Sequence, residues 1–279
     1  MIACVIHGAR ELKIENRPEP PHPQDGEVLV RFGAGGICGS DLHYYHEGGI
    51  LDFKIREPLV LGHEVAGEVV EIGPGVTKVS VGQRVAVNPL RSCLRCVYCL
   101  SGRPNLCLNR RFFGSAARFP HVQGMFAELF IASEAQCVTI PELTPFRVAA
   151  CAEPLGVTLH AVARAGAMLG RKVLVTGSGP IGVLVAASAR LAGAAEIVVT
   201  DLYDEALAIA SRMVAKELEL IGTFLSCEEF RWAVETLVHG RIDIGPILTG
   251  QFSLGDASSA FELASDRSKA MKVSLVASA

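Results

Sequence analysis

An excess of either charge is missing from this chain of 279 residues: 26 lysines and arginines stand against 29 acids, for a net charge of −3. The polybasic footprint needed to hold nucleic acid or an anionic membrane surface is therefore lacking. Long apolar runs are missing too. The longest uncharged stretch, Val173 to Ala189, has 17 residues and contains three Gly, one Pro, two Ser and one Thr. A bilayer span needs about 20 predominantly apolar residues, so a strand, a tight turn and a helix account for this run better. No basic segment leads into an apolar one between Met1 and Arg10, so no secretory signal is expected there. Internal repeats and low-complexity tracts are absent as well.

Cysteine is plentiful but odd in number. Nine are present, four of them within fifteen residues, which argues against a disulfide framework and for metal in a reducing, cytoplasmic compartment. Residues 1–148 carry short β-branched runs (ACVIH, ELKIE, EVLVRF, EVVEI, RVAVN) broken by Gly- and Pro-rich turns. They predict a small antiparallel barrel or sandwich. From residue 149 to 249, Ala- and Leu-rich stretches alternate with VLVTG and EIVVTD, the pattern of a βαβ unit and a parallel sheet. The tail, 250–279, returns to short mixed segments and is expected to rejoin the first half.

Three constellations carry chemistry. Cys93, Cys96, Cys99 and Cys107 are spaced C-x2-C-x2-C-x7-C in a loop around residues 88–110. Four thiolates from one loop can surround a zinc ion tetrahedrally and close its coordination sphere, which makes such a site structural. An iron–sulfur cluster is the rival reading. Cys38, His63 and Glu64 lie in Gly-flanked turns, GGICGSD and VLGHEVAG, and Glu153 lies in AEPLG. A catalytic zinc keeps about three protein ligands and an open position, and these four residues are candidates for it. Taken singly, a core histidine, a small apolar cysteine and a helix N-terminal acid explain them equally well. Gly177, Gly179, Pro180, Ile181 and Gly182 form GSGPIG between the strand-like KVLVTG and a helical stretch, and Asp201 ends the next strand-like run. This is the dinucleotide fingerprint: glycines admit the pyrophosphate, the helix N-terminus stabilises its charge, and the acid accepts from the ribose hydroxyls. An acid there repels a 2′-phosphate, so NAD is expected over NADP.

The run Gly62-His63-Glu64-x2-Gly67-x5-Gly73-x2-Val76, with Cys38 and the four-cysteine lobe, resembles the zinc-containing medium-chain alcohol dehydrogenases along nearly the whole chain. The resemblance implies a GroES-like β domain, a Rossmann domain, two zinc ions per chain and a homo-oligomer, dimer or tetramer. It assigns Cys38 and His63 to the catalytic zinc, with Glu153 as the further ligand of the polyol branch and Glu64 as a ligand or its support. Ser40 and His43 then form a proton relay. Tyr44 and Phe113 match substrate-contacting positions, and Arg111 and Arg118 either hold a sugar-acid carboxylate or are surface cations. The implied reaction is NAD-dependent oxidation of a secondary alcohol on a sugar acid or polyol. Threonine is an alternative substrate.

Two departures stand out. Leu225 occupies a position where the polyol branch usually has Arg. Between Met213 and Val214 roughly sixty family residues, covering the third to fifth strands of a doubly wound sheet, are expected to be missing, either left out of this sequence or truly deleted from the chain, and the apolar faces and edges that a deletion would bare favour the former. If that deletion has removed the nicotinamide site, the chain is a zinc-binding protein without catalysis.

Overall fold

The computed structural model describes residues 1–200 and 222–277. The first half is built on strands β1 (Ile2–Ile6), β2 (Leu12–Asn16), β3 (Glu27–Gly36), the hairpin β4 (Gly49–Ile50) and β5 (Phe53–Lys54), β6 (Leu59–Val60), β7 (Glu64–Ile72), β8 (Arg84–Val87), β9 (Leu90–Arg91), β10 (Arg111–Phe112), β11 (Leu129–Ser133) and β12 (Cys137–Thr139). Two parallel strands follow, β13 (Lys172–Thr176) and β14 (Glu196–Thr200), and the tail adds β15 (Leu248–Ser253) and β16 (Lys272–Val276). The helices used below are α1 (Gly39–Glu47), α2 (Val97–Leu100), α3 (Phe146–Ala150), α4 (Ala152–Arg164), α5 (Pro180–Leu191), α6 (Glu229–Val238) and α7 (Ala257–Ser265).

A seven-stranded sheet organises the first half, in the order β12-β8-β7-β3-β16-β15, with β11 also paired to β3. Its central strand β3 alternates as a half-buried strand should: Val28, Val30, Phe32 and Ala34 are buried in turn. Val28, Val30 and Phe32 pack with Leu59, Leu61, Val65, Val69, Phe126 and Phe261 in the largest core cluster. The tail enters this sheet directly. β16 runs antiparallel to β3, with Ser274 opposite Gly36, and β15 runs parallel to β16.

Strands β13 and β14 pair in parallel, with Lys172 opposite Glu196 and Thr176 opposite Thr200. They are the two strands of this sheet among the described residues. The second core lies where α4 meets α6 and α5, around Leu155, Leu184, Phe230, Ala233, Val234 and Leu237. Gly156 allows this approach, because a Cβ there would sit 3.2 Å from the Cα of Phe230. Asp201 and the Met213–Val214 junction lie outside the described residues. Among the described residues, no helix is long and apolar enough to cross a membrane.

Candidate functional site

Three ligand-type residues converge where β3, α1 and β7 meet. Cys38 is the N-cap of α1, and the acid three residues on, Asp41, accepts a hydrogen bond from the Cys38 N–H at 3.0 Å, as in a capping box. His63 and Glu64 lie at the start of β7. One donor atom each from Cys38, His63 and Glu64 fall within 4.8 Å of one another. Asp41 is fully buried, with Oδ1 3.6 Å from His63 Nδ1, and it also accepts from the Gly62 N–H at 3.4 Å. His63 Nε2 faces the hydroxyl of Ser40 at 3.4 Å, and its ring lies 5.3 Å from that of Phe112. Burial opposes charge on His63, but the Asp41 carboxylate and Cys38 prevail and push its pKa well above the ordinary value. Surroundings that negative suit a cation. The thiol, imidazole and carboxylate set is one that zinc prefers, so the residues present fit the metal.

Glu153, in the first turn of α4, is buried but does not belong to that 4.8 Å cluster. Burial pushes its pKa up to about 7, against the lowering influence of His63. Burial likewise pushes the thiol of Cys151, the N-cap of α4, up to about 12, as expected of a packing residue.

Sequence reasoning missed Lys272. It sits on β16, 4% exposed, and its ammonium donates to Glu64 Oε1 at 2.7 Å and to the Ile37 carbonyl at 3.1 Å. The Glu64 carboxylate keeps it charged despite burial. Gly36 leaves room for the pair, since a Cβ there would collide with the Glu64 carboxylate and lie 2.8 Å from Lys272 Cε. No local pattern around Lys272 announces this; only the docking of β16 on β3 creates it.

Cys93, Cys96, Cys99 and Cys107 also place four sulfurs within 4.8 Å of one another. Backbone N–H groups point at them: Cys93 and Asn109 donate to Cys107 Sγ at 3.2 and 3.3 Å. Backbone donation from Cys99 and Leu108 brings the Cys96 thiol down to about 6. None of the nine cysteines forms a disulfide. The lobe therefore fits a structural zinc as well.

The Gly177–Gly182 turn joins β13 to α5, with Gly177 at φ +95°, Gly179 as N-cap and Pro180 at the first helical position. A Cβ on Gly182 would strike the Gly177 carbonyl, whereas nothing lies within 4 Å of a Cβ placed on Gly177 or Gly179. That open side is where a pyrophosphate would approach, so the turn fits a dinucleotide. Ile181 is half exposed.

The four residues expected at the substrate, Arg118, Arg111, Phe113 and Tyr44, make contacts of their own. Arg118 donates to the carbonyls of Arg110 and Leu108, both at 2.7 Å, and so stitches the end of the cysteine lobe instead of presenting a free guanidinium. Arg111 is exposed on β10 next to Phe112, and alternation along a strand turns it away from the His63 ring that Phe112 meets. Phe113 packs edge-on against Phe130 at the margin of the main core. The Tyr44 hydroxyl is buried and accepts from the Ala116 N–H at 2.9 Å. His43 is exposed on α1 and pairs with Glu47 at 2.8 Å. Leu225 adopts φ +54° beside the lobe.

Residues 24–142 match the family model of the alcohol dehydrogenase GroES-like domain. The chain is 32% identical to L-idonate 5-dehydrogenase (NAD(P)(+)) of Escherichia coli over 340 aligned positions, covering 98% of either protein. It is 40% identical to sorbitol dehydrogenase of Bacillus subtilis over 231 positions, which are 83% of this chain and 64% of that one. The crystal structure of the Escherichia coli L-idonate 5-dehydrogenase superposes with a TM-score of 0.90, covering 99% of this chain and 97% of that one at 32% identity.

Proposed function

Since the chain belongs to the zinc-containing medium-chain alcohol dehydrogenases, we propose that it oxidises a secondary alcohol of a polyol or sugar acid, passing hydride to a nicotinamide cofactor. The observation that carries this is the placement of Cys38, His63 and Ser40 around one point on the first-half sheet. Zinc, when bound, supplies the Lewis acid that lowers the alcohol's pKa, and the nicotinamide supplies the hydride acceptor.

The chain's own groups do the rest. Cys38 and His63 hold the metal, with Glu153 as the further ligand. Asp41 fixes the His63 ring from its Nδ1 side, leaving Nε2 for the metal. The Lys272 ion pair restrains Glu64 beside them. Ser40 accepts the proton of the substrate hydroxyl as it gives up its own, and His43, exposed and three residues further along the same helix, takes the released proton and hands it to water. The Gly177–Gly182 turn receives the cofactor pyrophosphate, and Asp201 makes NAD the preferred form over NADP. Of the two substrate classes, L-idonate, giving 5-keto-D-gluconate, is the reading that the similarity to the Escherichia coli enzyme supports.

The test follows nicotinamide absorbance with zinc-loaded protein on L-idonate, sorbitol, xylitol and threonine. Reduction of NAD with one of the first three is expected. Silence on all four, with both metals bound, sinks the reading.

One observation favours a second reading. The 340 aligned positions exceed the 279 residues of the chain, and Val198, 48% exposed on β14, and Leu174, 38% exposed on β13, lack the cover a full doubly wound sheet provides. On that reading the cofactor domain is shortened and the chain binds zinc without transferring hydride. Nicotinamide binding by the zinc-loaded chain decides between them.

A further inference from the structure

The four-cysteine lobe touches more than itself. Asn105 lies in the short 3-10 turn Pro104–Leu106, two residues before Cys107, and is 4% exposed. Its Nδ2 donates to the Phe224 carbonyl at 2.9 Å, and its Oδ1 accepts from the Cys227 thiol at 2.9 Å. Arg110, also in the lobe, stacks its guanidinium 5.1 Å from the centre of the Phe224 ring. Three contacts thus pin the segment 224–227 to the lobe.

That segment leads straight into α6, whose first turn continues the chain of contacts. The Cys227 N–H donates to Glu229 Oε2 at 2.8 Å, and Glu229 Oε1 pairs with His160 Nδ1 at 3.0 Å. His160 is two helical turns beyond Glu153 on α4, seven residues on and so on the same face. Gly156, between them, packs against Ser226 and the backbone of Phe230. Lobe, segment, α6 and α4 therefore form one path of directional contacts as far as His160, on the helix that carries Glu153.

We propose that Asn105 is a positioning residue through which the closed cysteine lobe sets α4 and with it the affinity of the open Cys38–His63–Glu153 site for zinc. This rests on the reading of those three residues as metal ligands. Its reach is set by rigidity. A ligand that swings freely costs ordering entropy on binding, whereas one on a helix clamped at two points does not. Removal of an outer partner of a metal ligand typically weakens the metal tenfold to a hundredfold, and a more remote partner such as Asn105 should fall at roughly the lower end.

The test titrates full-length protein with zinc at buffered free concentrations and counts metal per chain at each. Wild type should fill two sites. Asn105→Ala and Cys227→Ala should hold the lobe zinc as wild type does while the second site fills only at roughly tenfold higher free zinc. Cys227→Ser should restore the wild-type curve, because its hydroxyl can donate the same bond to Asn105. An unchanged second site in both alanine variants overturns the proposal, as does a Cys227→Ser curve as weak as that of Cys227→Ala, or parallel loss of both metals. A wild type that fills two sites but reduces no NAD would instead overturn the dehydrogenase reading alone.

Discussion

Lys272 and Glu64 stand 208 residues apart in sequence, yet form a buried ion pair at the edge of the metal cluster, with the ammonium 2.7 Å from Oε1 and the two side chains 4% and 1% exposed. The pair ties the last strand of the chain to the first residue of β7. Breaking a buried pair on one side leaves an uncompensated charge, which costs about 3–5 kcal/mol, whereas replacing both partners with neutral groups costs much less. Lys272→Met should therefore lower the urea midpoint strongly, and Lys272→Met with Glu64→Gln should recover most of the loss. A double variant no more stable than the single one would show that packing, not charge, dominates there.

The two metal sites should separate by mutation. Cys38→Ala should abolish activity and one equivalent of zinc while unfolding midpoints change little, because its site is open and lies beside a sheet held by its own ladder of β3 on β7 and its own buried core. Cys96→Ala should first lower stability, since the lobe has few buried apolar groups and leaves Leu94 69% exposed and Leu100 76% exposed. Elemental analysis beside a thermal melt measures both. Equal stability loss in the two variants would contradict the division into catalytic and structural sites.

Why some of this was readable and some was not follows from sequence distance. The lobe cysteines lie within fifteen residues, so spacing alone brought them together. Cys38 and His63 could be paired only through a motif, because β3, α1 and β7 create their proximity. Lys272 and Asn105 carry no motif; their contacts come from tertiary pairing that periodicity does not encode. The aromatic next to His63 is Phe112, while Phe113, expected as a substrate residue, packs against Phe130. In a two-residue strand, which side chain faces the site depends on a register that the sequence leaves open.

Acid sensitivity should show the α4–α6 clamp. Burial raises the Glu229 pKa, but hydrogen bonds from His160 and the Cys227 N–H outweigh it and hold the carboxyl below its usual value. A depressed carboxylate stabilises the fold above its unfolded pKa, and that contribution fades as pH falls through the folded one. Glu229→Gln should thus be roughly 1–2 kcal/mol less stable than wild type at pH 7, with the difference shrinking below about pH 4. Urea curves of the metal-free proteins at both pH values test this. A constant gap would assign the effect to packing.

The cofactor turn offers a steric test. Gly182 lies under the Gly177 carbonyl with no room for a side chain. Gly182→Ala must push the turn open, so the amides at the start of α5 no longer converge on one point. Binding of NAD, read by fluorescence quenching or calorimetry, should weaken by at least roughly tenfold, the scale of one charge-assisted hydrogen bond. The zinc content should stay at the wild-type value, because neither metal cluster includes residues of this turn. Undiminished binding would place the cofactor elsewhere.

Arg118 is where the structure departs most from the expectation drawn from the sequence. A sugar acid differs from a polyol by a carboxylate, and Arg118 looked suited to hold it. Its guanidinium is instead committed to the carbonyls of Leu108 and Arg110, just past Cys107, and the His121 ring next to it is saturated: Nδ1 meets the Arg118 carbonyl at 2.8 Å and Nε2 accepts from the Arg56 N–H at 2.9 Å. Two bonds from a charged donor to carbonyls that end a loop stabilise the loop, by about 1.5–3 kcal/mol for each such bond before solvent exposure is discounted. Arg118→Ala should accordingly lower the melting temperature and loosen the lobe's zinc while the ratio of kcat/KM for L-idonate over sorbitol stays within about twofold of wild type, well under the factor of ten that 1.4 kcal/mol would make. Steady-state kinetics on both substrates, with a melt on the same preparation, gives the answer. A tenfold collapse of the ratio with stability intact would return Arg118 to the substrate and show that its carbonyl contacts yield when a carboxylate arrives.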